Sequence, residues 1–164
     1  MRVFLPLVLL SACADGSGSS DVCRSTDDLD AGAAVATVDG TMWVTTADWL
    51  WQGESLQINA APADGWSISF VGQLTAEGDS FKAAADAGAL PITVPLDESS
   101  AWALVYPTDG DSYDSRNGAG GTLTVTDVGD ELLACFDFDA ATDGGDTVSM
   151  SDGALRATLS PFAE

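Results

Sequence analysis

Ala34-Val35-Ala36-Thr37-Val38-Asp39-Gly40-Thr41-Met42-Trp43-Val44-Thr45-Thr46 reads as a β-hairpin. Two runs rich in β-branched and aromatic side chains flank Asp-Gly, a pair that tolerates the left-handed backbone of a two-residue turn. The runs are therefore predicted to pair antiparallel. The pattern recurs downstream. Leu56 and Ile58 alternate with Gln57 and Asn59 until Pro62-Ala63-Asp64-Gly65 stops the strand, and Trp66, Ile68 and Phe70 then share one face against Ser67 and Ser69. Ile92-Thr93-Val94 lies between Pro91 and Pro95, which suits a sheet edge. Residues 101–106 are apolar on both faces, as in a central strand covered on both sides. Residues 122–126, 132–138, 147–150 and 154–159 complete the set, with Ser151-Asp152-Gly153 read as a tight turn between the last two. Residues 48–51 and 81–86 have some helical character but are too short to assign. About nine strands at roughly ten-residue spacing predict an all-β domain, an antiparallel β-sandwich or small open barrel over residues 22–164.

The N-terminus carries an address. Arg2 is followed by an apolar run over 3–10, and Leu10-Ser11-Ala12-Cys13 ends it with small residues before a cysteine. The order is that of a signal peptide, and Leu-Ser-Ala-Cys resembles the lipobox of bacterial lipoproteins. That resemblance implies removal of residues 1–12 and lipidation of Cys13. Eight apolar residues are too few for a membrane span, which needs about 20. Residues 13–21, with their Gly/Ser run, read as the lipidated cysteine and a flexible tether. The expected partner of this end is a membrane. Ala14 follows the cysteine rather than the aspartate that holds some lipoproteins at an inner membrane, which favours the outer membrane of a two-membrane cell.

Charge and cysteine content narrow the chemistry. Against 26 acidic residues stand 5 basic ones, for a net charge of −21. Nucleic acid and anionic headgroups are excluded as partners, since both need a basic patch. Such a surface is heavily solvated or suited to a salty habitat, and a monomer is expected. With Cys13 lipidated, Cys23 and Cys135 remain, and an even pair in an oxidising compartment is read as a disulfide. Strand alternation sets Cys135 opposite Phe136 and Phe138, facing outward. There is no histidine, which removes Ser-His-Asp and Cys-His catalysis and ordinary zinc enzymes. No Gly-rich loop ends in Gly-Lys-Ser/Thr.

Three other chemistries deserve weighing. Residues 107–121 form the longest break in the strand pattern, and Asp109, Asp111 and Asp114 within it are candidate calcium ligands. Asp139, Asp143 and Asp146 populate a second such loop. Asp and Gly as plain turn formers are the simpler reading, so no cofactor is expected unless it is calcium. Paired acids such as Asp137 and Asp139 could in principle hydrolyse a carbohydrate. Trp43, Trp66 and Trp102 sit in strand patterns as core. Trp49 and Trp51 flank Leu50 and point the same way if extended, which offers either a partner-binding aromatic pair or a cap over one end of the core.

Four segments, in order, resemble those of a family of small bacterial envelope lipoproteins with an antiparallel β domain. Ala36-Thr37-Val38-Asp39-Gly40-Thr41-Met42-Trp43 is similar to that family's opening hairpin, and Gly121-Thr122-Leu123-Thr124-Val125-Thr126-Asp127 to a strand further on. Ala134-Cys135-Phe136-Asp137-Phe138 resembles the next strand, with Ala134-Cys135 where a glycine is usual. Met150-Ser151-Asp152-Gly153-Ala154-Leu155 resembles the closing segment, with Leu155 in place of an aromatic residue. The family has no established activity, so the resemblance implies fold and location alone. The expectation is a lipid-anchored envelope protein, not an enzyme, that binds a protein or glycan or serves the envelope structurally. The alternatives are a carboxylate-pair hydrolase acting on carbohydrate and a calcium-binding surface domain.

Overall fold

The computed structural model describes residues 26, 28–61, 65–97 and 100–161. The signal peptide, Cys13, the tether and Cys23 lie outside the described residues. Within them the fold is all-β. Ten strands form one mixed sheet: β1 (Ala33–Val38), β2 (Thr41–Gln52), β3 (Ser55–Ala60), β4 (Ser67–Gly72), β5 (Ile92–Pro95), β6 (Ala101–Tyr106), β7 (Tyr113–Asp114), β8 (Gly120–Val128), β9 (Glu131–Ala141) and β10 (Thr147–Leu159). One short helix, α1 (Phe81–Asp86), interrupts them.

The spatial order is β1-β10-β2-β3-β4-β6-β7-β9-β8-β5, with β1 also paired to β2 and β10 to β9. Hydrogen bonding therefore runs round in a ring. Nearly all pairs are antiparallel; β10 meets β2 in parallel at Thr158↔Asp48 and Leu159↔Trp49. β1 is bonded along both edges, through Ala33↔Arg156 to Val38↔Met150 on one side and Ala33↔Thr46 to Val38↔Thr41 on the other. The Asp-Gly hairpin is realised as read: Val38 pairs with Thr41, and Asp39 and Gly40 take φ of 46° and 81°. β5 sits at a sheet edge between its prolines, also as read.

Strand alternation builds the core. In β4, Ile68 and Phe70 are buried while Ser67 and Ser69 are less so; in β9, Leu132, Ala134, Phe136, Phe138 and Ala140 point inward. Phe70 lies 4.9 Å from Phe136 and 5.8 Å from Phe138, ring centre to ring centre. β4 and β9 are not sheet neighbours, so these contacts cross the interior and join opposite sides of the ring. Phe81 of α1 packs inward against Gly72. The Ser80 hydroxyl caps the helix by accepting from the Ala83 N–H.

Three local readings are corrected. Ser151-Asp152-Gly153 is no chain reversal; it is a bulge inside a continuous β10, with the register shifting between Met150 and Gly153. Asp152 has φ 51°, and Gly153 has no Cβ because the Phe136 ring occupies that place. Residues 48–51 are strand, the second half of β2. Residues 101–106 are internal to the sheet but not covered on both faces: Trp102 and Leu104 are half-buried and Tyr106 is exposed.

Candidate functional site

Two ends of the ring can be distinguished. At one, Arg156 receives the incoming chain: its Nη1 donates to the Leu29 carbonyl, and its own carbonyl accepts from the Gly32 N–H. β1 then runs to the Asp39-Gly40 turn at the opposite end.

The incoming-chain end holds Trp49 and Trp51, and here the partner-binding reading is corrected. The two rings do point the same way and touch edge to face at 5.7 Å. Trp49, however, is 3% exposed and belongs to the core, while Trp51 is half-buried with Lys82 Nζ 5.6 Å above its ring. The Trp49 indole N–H has no partner among the described residues, which costs about 1–3 kcal/mol. Burying roughly 150–250 Å² of indole at about 25 cal/mol per Å² offsets that with about 4–6 kcal/mol. Burial wins, and the pair is a cap.

The turn end carries a different aromatic group. Trp43, inward-pointing by β2 alternation, donates from Nε1 to the Trp66 carbonyl at 3.0 Å. The Trp66 ring stacks on Tyr113, 5.7 Å away and tilted by 34°. Val38, Asp39, Thr41, Met42, Trp43 and Trp66 line an open concavity of about 420 Å³. Met42 is 80% exposed at its lip, and Val44, two residues on along the same face of β2, is 61% exposed. The Asp39 carboxylate accepts from the Ser149 N–H at 2.9 Å, tying the lip to β10. Trp43, Trp66 and Trp102, read as core, are each half-buried instead. Trp43 and Trp66 pack on the edge of the core, whereas Trp102 faces outward from β6, opposite the buried Ala101 and Ala103, with Arg116 over its ring.

A second, more polar concavity of about 360 Å³ is lined by Leu104, Asp111, Ser112, Asp114, Asn117 and Asp143. Residues 107–121 are more ordered than their composition suggests. β7 pairs with β6, the buried Ser115 hydroxyl accepts from the Ala103 N–H, and the Ser115 N–H donates to the Ala103 carbonyl. The loop does not gather the three candidate calcium ligands. Asp109 and Asp111 are exposed, and Asp114 is gripped by Arg116, with Nη2 at 2.5 Å and Nε within 3.0 Å. Arg116 in turn lies 5.0 Å over the Trp102 ring. Asn117 Nδ2 donates to Asp143. Among the described residues, no three His, Cys, Asp or Glu side chains are arranged to hold a metal ion.

Partial burial raises the proton affinity of Asp114, but hydrogen bonds from the Arg116 side chain and backbone, with its charge, outweigh this and hold the carboxyl below its ordinary value. A depressed folded pKa contributes stability above the unfolded value and loses it as the pH falls through the folded one. Asp114→Asn is thus expected to be less stable than the parent at about pH 6, the gap closing below about pH 3.5. Denaturant melts at both values check this; an unchanged gap would refute the linkage.

Cys135 faces outward from β9, as expected, and is disulfide-bonded; no other cysteine falls within the described residues. The turn end thus holds an apolar recess lined by Trp43 and Trp66, with Tyr113 stacked on Trp66 and Asp39 in the lining. Alternation in β2 sets Met42 outward, a signal the sequence reading did not use, and the meeting of Trp43, Trp66 and Tyr113 depends on contacts 23 or more residues apart that leave no local signal. No protein-family model, curated protein or solved structure matches this chain.

Proposed function

We propose that this protein is a lipid-anchored component of a bacterial envelope whose β domain is a non-catalytic binding module. The observation that carries the binding role is the aromatic concavity at the turn end, with Met42 80% exposed at its lip. Met42 and Val44 add exposed apolar surface beside two half-buried indoles, and a contiguous apolar patch rimmed by polar residues marks an interaction site. The Cys13 anchor is supported by the residues before it, and the direction of β1 by its hydrogen bonds. β1 runs from the incoming chain to the turn, and Trp43 lies level with Ala36, about 10 Å along it. With Cys13 lipidated, Cys23 is the partner left for Cys135. That bridge would fasten the segment next to the tether onto the outer face of β9.

Cys13→Ser is expected to move the protein from the membrane to the soluble fraction, and peptide mapping without reductant should recover Cys23 joined to Cys135. Equal membrane retention of both forms would overturn the anchor. The module itself is tested by titrating soluble peptides and oligosaccharides while following indole N–H signals. Saturable shifts centred on Trp43 and Trp66 support it, and none from any ligand would sink it.

A further inference from the structure

We infer that the concavity around Trp43 and Trp66 receives a basic segment of a partner protein. This rests on the binding-module reading and names its partner class. The recess is apolar and open, and the surroundings supply the sign of the charge. Asp39 stands in its lining, and Asp111 and Ser112, just before the Tyr113 that stacks on Trp66, line a second concavity with Asp143.

Among the described residues, no basic side chain lines the recess. Among the described residues the basic side chains are Lys82, Arg116 and Arg156, and each is ion-paired, with Asp86, Asp114 and Glu131. Lys82 and Arg156 belong to the opposite end. Arg116 is matched by the carboxylate it grips. The excess of 26 acidic over 5 basic residues sets the sign of the field around the recess.

That field selects among occupants. A second copy of this chain carries the same charge and is repelled, as is any anionic polymer or headgroup. A neutral sugar could stack on the indoles but would leave the field unused. Lysine and arginine satisfy both parts of the surface: their aliphatic stems cover apolar rings and methyls, and their charged ends stay near water and carboxylates. A cation over an indole or phenol face adds about 0.5–1 kcal/mol at exposed sites. Long-range attraction would speed encounter and make it sensitive to salt.

The test uses the mature full chain in non-ionic detergent and two short peptides, one alternating lysine with leucine and one alternating glutamate with leucine. Indole N–H signals and binding isotherms are read at low and raised salt. The lysine peptide is expected to shift Trp43 and Trp66 saturably, the glutamate peptide to leave them unmoved, and salt to weaken the binding several-fold. Met42→Lys and Asp111→Lys alter exposed side chains, so the fold survives them. Each should weaken the lysine peptide by about threefold to tenfold. If Met42→Lys binds like the parent, or shifts spread evenly over the acidic surface, the peptide is merely gathered by net charge and the inference fails. A neutral oligosaccharide that shifts the two indoles when the lysine peptide does not would overturn the basic partner but keep the module. No shift from any ligand would overturn both.

Discussion

Phe70→Ala is expected to lower the unfolding free energy by about 3–5 kcal/mol, read as a shift of the denaturant midpoint at constant slope. Phe70 is 1% exposed, and its ring touches both Phe136 and Phe138, whose own centres are 6.0 Å apart. The three rings join β4 to β9 across the interior, so truncation removes one apolar side chain and leaves the other two facing a void. Neighbouring strands cannot close over it without breaking sheet hydrogen bonds, which is why the cost should reach the upper part of the range. Phe70→Leu keeps most of the volume and should lose about 1–1.5 kcal/mol. A loss below about 1 kcal/mol for alanine would mean that opposite sides of the ring do not depend on this contact.

The second large effect is expected at a glycine. A Cβ on Gly121 would run into the Asp137 carbonyl oxygen and the Phe138 Cα, both backbone atoms of the adjacent β9. No rotamer relieves a clash with backbone, so Gly121→Ala must push β8 from β9 at the start of their ladder. We expect a loss of about 3 kcal/mol or more. Gly144 is the control: a Cβ there meets only the Thr142 hydroxyl, at an ordinary 3.5 Å, and Gly144→Ala should be nearly neutral. Equal costs at the two positions would show that chain flexibility, not close approach, governs both. The same glycine opens the strand segment Gly121-Thr122-Leu123-Thr124, so its place has a steric cause in this fold.

What could be read from the residues was what neighbours along the chain decide. Asp39-Gly40 supplies its turn locally, Trp66 to Phe70 alternate whatever surrounds them, and the flanking prolines of β5 exclude an interior position by their own chemistry. Asp152-Gly153 was misread because a left-handed residue before a glycine serves a turn and a bulge equally. The Phe136 ring, 17 positions back in the sequence, decides between them. Trp49 and Trp51 were correctly set on one face, but alternation does not say which face is inside. The candidate site was the least legible part, since the hairpin, the start of β4 and β7 come together only when the ring closes.

β1, bonded along both edges, has a mechanical consequence. A pull between the two ends of β1 acts along the strand axis. The ladder bonds to β10 and β2 lie across that axis, so they carry the load together, in shear. Unzipping, in which bonds rupture singly, would require a force directed sideways from one end. The first strand thus resists tension between its own two ends without peeling open.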